Sequence, residues 1–190
     1  VALNLPNLLT YARIAAVPAL VGCLLVLDGP QAHTAAFLVF AVASITDWLD
    51  GYLARVWSQQ SALGRMLDPI ADKLLVGATL LMLVHLRTID GVAIIAAVII
   101  LCREILVSGL REFLAELDVK VHVSRLAKWK TAVQMVALGA LLLAPAVQQP
   151  TVLAIGVALL WLAAGLTLWT GTGYLIAAVR RATDGSTRED

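Results

Sequence analysis

Asp47-Trp48-Leu49-Asp50-Gly51-Tyr52-Leu53-Ala54-Arg55, followed after eight residues by Gly64-Arg65-Met66-Leu67-Asp68-Pro69-Ile70-Ala71-Asp72, sets four aspartates into otherwise apolar sequence. A charge near the middle of a bilayer costs roughly 2.5–3.5 kcal/mol on insertion scales, so four of them represent about 10 kcal/mol that must be compensated. A cation must therefore sit among them, and this stretch is where function is expected.

The surrounding chain fixes the solvent. Of 190 residues, 61% are hydrophobic and only 14% charged, and the mean hydropathy is +0.89. Windows of about 20 residues, matched to a hydrocarbon thickness of roughly 30 Å, give six spans: 8–27, 32–57, 63–86, 91–114, 126–147 and 151–179. Turn chemistry separates them at Asp28-Gly29-Pro30, Asp90-Gly91 and Gln148-Gln149-Pro150. The expectation is an all-α polytopic membrane protein with six transmembrane helices and a short N-terminal interfacial segment. Residues 1–180 would form one domain and 181–190 a polar, frayed tail. With the N-terminus inside, Arg87 is alone among the 14 Lys and Arg residues in falling on the outer side. This orientation turns the aspartates toward the cytoplasm, as in a bacterial inner membrane.

Several functions are excluded or given no support. The basic residues follow the inner membrane boundary without an aromatic-studded stripe, which argues against nucleic acid. The N-terminus lacks the basic region, short apolar core and cleavage site of a signal peptide, so the first span is expected to stay as a helix. Cys23 and Cys102 have neither CxxC nor CxxH spacing and read as buried free thiols. His33 and His85 fall at the outer boundary and His122 in a connector, without metal or nucleophile partners. The five tryptophans are scattered as membrane packing or interfacial anchors. Pro18 and Pro69 fall inside spans, where a kink or restart is expected.

On helices, residues three or four apart share a face, which pairs Asp47 with Asp50 and Asp68 with Asp72. The short connection around Trp57 to Ala62 predicts that the second and third spans are antiparallel neighbours bringing both pairs to one pocket. All-oxygen donor sets suit hard divalent ions, Mg²⁺ above all, completed by water and substrate phosphates. Two such ions would relieve the repulsion and clamp a phosphoryl group. Gly51, Ala54 and Gly64 remove bulk where a nucleotide or a backbone approaches. A phosphate-bearing substrate follows.

The pattern D-x2-D-G-x2-A-R-x8-G-x3-D-x3-D resembles the signature of the CDP-alcohol phosphatidyltransferases, with every position and both spacings present. The resemblance implies a six-helix membrane fold, commonly a homodimer, in which a CDP-linked lipid meets an alcohol at a two-metal site. It implies Mg²⁺, with Mn²⁺ as an alternative, held by Asp47, Asp50, Asp68 and Asp72, the last also acting as general base. Gly51, Ala54 and Gly64 match positions that admit the cytidine nucleotide. Arg55 completes the signature, either meeting a phosphate of the CDP-lipid or locking its helix. Lys73, beside Asp72, balances local charge or touches substrate.

Asn4-Leu5-Pro6-Asn7-Leu8-Leu9-Thr10-Tyr11-Ala12-Arg13 is similar to the N-P-N-x-L-T-x-x-R opening of members that use glycerol phosphate, with Leu5 inserted. On that resemblance Asn7 and Thr10 join the CDP-lipid site. Arg103-Glu104-Ile105-Leu106-Val107-Ser108-Gly109-Leu110-Arg111-Glu112 and Lys128-Trp129-Lys130-Thr131-Ala132-Val133-Gln134 resemble the R-E-x-x-V-S-x-L-R-E and K-x-K-T-x-x-Q stretches of phosphatidylglycerophosphate-forming members. The implied substrates are CDP-diacylglycerol and glycerol 3-phosphate. Independently, a dianionic acceptor near four carboxylates needs cations, which Arg103, Arg111, Lys128 and Lys130 would supply. Lys128 and Lys130 also read as boundary residues of the positive-inside kind. Other acceptors (inositol phosphate, serine, phosphatidylglycerol) and a divalent-cation transporter are the alternatives. Outer halves made almost wholly of Ala, Leu, Val and Ile argue against a transport path.

Overall fold

The computed structural model describes residues 5–57, 62–116 and 125–186, with side chains over 8–47, 66–115 and 129–176. Six helices follow in order: α1 Leu5–Val26, α2 Gly29–Trp57, α3 Ala62–His85, α4 Ala93–Glu116, α5 Arg125–Val147 and α6 Pro150–Ser186. Each overlaps one of the six expected spans. Turns end them where the sequence carries turn chemistry: Gly29, the first residue of α2, takes φ +60°, and Gln148 takes φ 52° before α6. Pro30 and Pro150 sit in the first turns of their helices, where no amide hydrogen is needed. α1, α3 and α5 run unbroken through Pro18, Pro69 and Pro145. α6 continues past the expected end of its span to Ser186, through Arg180, Arg181 and Ala182, which are good helix formers.

Among the described residues, four helical stretches are long and apolar enough to cross a membrane: Leu8–Val26, Ala93–Ala115, Trp129–Val147 and Pro150–Ile176. The six-span expectation is met in helix number, and in crossing length and apolarity for these four. In its described part α2 begins with the polar stretch Pro30, Gln31 and His33, and α3 is diluted by Asp68, Asp72 and Lys73. Apolar residues lie both inside and outside the bundle. Leu20, Phe40, Leu75, Leu83, Ile100, Leu138, Leu141 and Leu160 form the core, while Val42, Ile45, Leu81, Ile95, Val98 and Ile105 stay exposed. An outer face of this kind belongs to lipid. Hydroxyls within the helices bond their own backbones, as Thr79 donates to Leu75 O at 2.8 Å and Ser44 to Phe40 O at 2.8 Å.

The packing order corrects one expectation. Among the described residues α2 and α3 are not close neighbours; α1 packs on both of them, and α2 packs on α5. The short connection fixes sequence order but not packing, and the small and branched residues of α1 fit between the two. α5 packs most extensively on α6, where a Cβ at Gly156 would stand 2.9 Å from Leu141 Cγ, so only glycine lets these helices approach so closely. α4 lies on α6. Among the described residues α3 touches α4 and α5 only sparsely, which leaves a loose seam between them.

Candidate active site

A cavity of about 680 Å³ lies along this seam, walled by Asp47 from α2, Asp68 and Asp72 from α3, Arg103, Glu104 and Arg111 from α4, Lys130 from α5 and Tyr174 from α6. Alternating helix direction explains the gathering. Residues late in α2 and α4 and early in α3 and α5 all reach the same end of the bundle. Three of the four expected metal-ligating aspartates and three of the four expected phosphate-binding cations therefore share one chamber. Lys73 also lines it. The side chains of Asn7, Asp50, Gly51, Ala54, Arg55, Gly64 and Lys128 lie outside those described, although their backbones are helical.

The cation demanded by the aspartates comes from α1. Arg13 is 1% exposed and places NH1 2.8 Å from Asp47 Oδ1 and 4.0 Å from Asp68 Oδ1. One turn earlier, Thr10 donates its hydroxyl to Asp68. Thr10, expected at the CDP-lipid, thus supports a carboxylate in this structure. Residues three apart on α1 hold together two carboxylates from helices that, among the described residues, scarcely touch. Arg13 belongs to the quoted opening motif, yet sequence reasoning gave it no role. An isolated cation inside an apolar span was the available signal.

The donor chemistry fits a hard divalent ion, since Asp47, Asp68 and Asp72 offer only oxygen and face one polar chamber. Among the described residues no group of three His, Cys, Asp or Glu side chains is drawn together tightly enough to hold an ion. Here the guanidinium of Arg13 balances Asp47, and Asp50 is not among the described side chains.

The basic wall is tied down differently at each residue. Arg103 donates Nε to Thr167 O at 2.9 Å and NH2 to Thr170 Oγ1 at 2.9 Å, while NH1 reaches Glu104 Oε1 at 3.2 Å. Gly171 makes room for it: a Cβ there would lie 3.3 Å from Nε and 3.5 Å from Cγ. Lys130, whose side chain is 7% exposed, donates to the same Glu104 oxygen. Arg111 is exposed in the cavity wall. Glu104, quoted within its motif but assigned nothing from sequence, joins two of the expected phosphate-binding cations. A carboxylate adjacent to Arg103 in an apolar run was its signal.

The family model for CDP-alcohol phosphatidyltransferase matches residues 3–169. The chain belongs to the CDP-alcohol phosphatidyltransferase family. It is 48% identical to a Rickettsia bellii protein named CDP-diacylglycerol–glycerol-3-phosphate 3-phosphatidyltransferase, over 92% of this chain and 94% of the relative. A Cereibacter sphaeroides protein of the same name is 35% identical over 93% of this chain and 96% of its own length. A rice protein named cardiolipin synthase (CMP-forming) is 41% identical over 91% of this chain and 56% of its own length.

Proposed function

We propose that this protein transfers the phosphatidyl group of CDP-diacylglycerol to glycerol 3-phosphate, giving phosphatidylglycerophosphate and CMP. The observation that carries the reading is a single chamber in which Asp47, Asp68 and Asp72 of α2 and α3 meet Arg103, Arg111 and Lys130 of α4 and α5. The aspartates suit a diphosphate held through divalent ions, the cations a phosphate-bearing acceptor. The names of the Rickettsia and Cereibacter relatives support the same substrates.

In this reading all six helices cross the membrane and the chamber opens to the cytoplasm. The 1-hydroxyl oxygen of glycerol 3-phosphate bonds to the β-phosphorus, and the bond from that phosphorus to the oxygen of CMP breaks. Asp72 accepts the hydroxyl proton, and CMP leaves with the bonding electrons. Two Mg²⁺ ions held by Asp47, Asp50, Asp68 and Asp72 would, when bound, supply charge stabilisation at the transferring phosphoryl group. The cations of α4 and α5 orient the acceptor phosphate, with Arg111 exposed to meet it and Arg103 fixed behind.

The test is CMP release by purified protein from CDP-diacylglycerol and Mg²⁺, with and without glycerol 3-phosphate. Release that depends on glycerol 3-phosphate and disappears in Asp68→Asn is the expected result; release indifferent to glycerol 3-phosphate refutes the acceptor. A second reading takes phosphatidylglycerol as acceptor, since the rice relative is named for a different lipid product, cardiolipin. It predicts release driven by phosphatidylglycerol instead. Family membership leaves the cation-transporter alternative without support.

A further inference from the structure

Glu104 has no place in the chemistry above, yet it occupies the middle of the basic wall. Its carboxylate accepts from both Lys130 Nζ and Arg103 NH1 through the same Oε1, and it lines the same chamber as Asp72. An anion placed where an anionic substrate must bind looks like a fault in the site. The bonding of its two partners shows what it does.

Arg103 cannot be traded to a ligand without dismantling a helix contact. Its Nε and NH2 are committed to Thr167 and Thr170 of α6, and the space left by Gly171 fits it closely. Lys130 is different. A lysine ammonium is a point charge on a flexible stem, and this one is held by Glu104. An acceptor phosphate entering the chamber therefore gains Lys130 only by sharing or replacing that pairing.

We propose that Glu104 is a positioning residue of the acceptor site, an internal counter-anion that holds Lys130 while the site is empty and yields it to the acceptor's phosphate. The inference rests on the acceptor reading given above. It has a thermodynamic consequence. Without Glu104, the empty site keeps two adjacent, largely buried cations with no anion between them, whereas the phosphate-filled site supplies its own. Removing the carboxylate destabilises the empty state more than the filled one, so phosphate binding tightens. The product, which carries the same phosphate, then leaves more slowly. Glu104 in this way trades acceptor affinity for turnover.

The experiment compares wild type, Glu104→Gln and Glu104→Asp in detergent. Calorimetry reads binding of glycerol 3-phosphate and, separately, of inorganic phosphate; steady-state CMP release gives KM and kcat. Glu104→Gln is expected to bind both anions about fivefold or more tightly, with KM for glycerol 3-phosphate and kcat falling together and CDP-diacylglycerol binding unchanged. Glu104→Asp, retaining the charge on a shorter stem, should lie between. Unchanged or weaker phosphate binding in Glu104→Gln, or a fall in kcat at constant KM, overturns the proposal. If the glutamine variant does not fold, the aspartate variant decides by the same direction of change. Wild-type CMP release indifferent to glycerol 3-phosphate would refute the acceptor reading, and the inorganic phosphate measurement would still judge Glu104.

Discussion

Arg13 shows how a single buried charge organises a site it does not line. Its guanidinium is shielded, whereas its partners Asp47 and Asp68 keep 43% and 39% of their side-chain surface exposed. Water therefore offsets part of what Arg13 supplies, and its loss costs less than the 3–5 kcal/mol of breaking a fully buried pair; about 1–3 kcal/mol is reasonable. Arg13→Gln should lower the melting temperature measured in detergent by circular dichroism. The double variant Arg13→Gln/Asp47→Asn should be less destabilised than the sum of the two, because each removes the charge that strands the other. Strict additivity would mean the pair contributes nothing. Asp72 has the opposite character: as the proposed base, Asp72→Asn should abolish CMP release while leaving CDP-lipid binding nearly intact, and turnover at the wild-type rate would remove it from that role. The need for a cation among four aspartates was legible in the sequence. Its identity was not, since spacing along the chain does not say which helix will lie beside which.

At the scale of the helices, apolar length located every element, and turn residues such as Gly29 and Gln148 placed several of the breaks. What the pattern could not reveal was that α1 would intervene between α2 and α3. All three are apolar on most faces, so no polar stripe dictates which side turns inward. Glycines hold part of the missing information, because they mark where backbones or long side chains come close. Gly156→Val should force α6 away from Leu141 of α5 and cost about 1–3 kcal/mol by overpacking, visible as earlier thermal unfolding. Gly171→Val should act on the site instead. Its branched side chain would displace the Arg103 guanidinium from Thr167 and Thr170, lowering kcat/KM for the acceptor while CDP-lipid binding persists. Unchanged acceptor kinetics in that variant would show that the Arg103 anchor has no bearing on the acceptor.

The whole molecule has its charged chamber at one end and Arg87, in the turn between α3 and α4, at the other. If the helices cross the membrane with the chamber inside, a cysteine replacing Arg87 in a protein lacking Cys23 and Cys102 should react with an impermeant maleimide added to intact cells. A cysteine replacing Arg111 should react only in inverted vesicles. The reverse pattern would invert the orientation. This end-to-end polarity was readable from the distribution of Lys and Arg. The chamber's position along the α3 seam was not, because it depends on which helix pairs pack loosely.

That loose seam also divides the chemistry. Of the charged lining, α2 and α3 contribute Asp47, Asp68 and Asp72 with Lys73 among them, a net acidic set, while α4 and α5 contribute Arg103, Arg111 and Lys130 with Glu104 and Glu112 among them, a net basic one. The two three-helix halves are joined chiefly where α2 packs on α5. A molecule with phosphates reaching both walls would act as a rivet between an acidic half and a basic half. Its binding energy would then be spent on the cohesion of the protein itself, so that the filled protein would resist being pulled apart along that line.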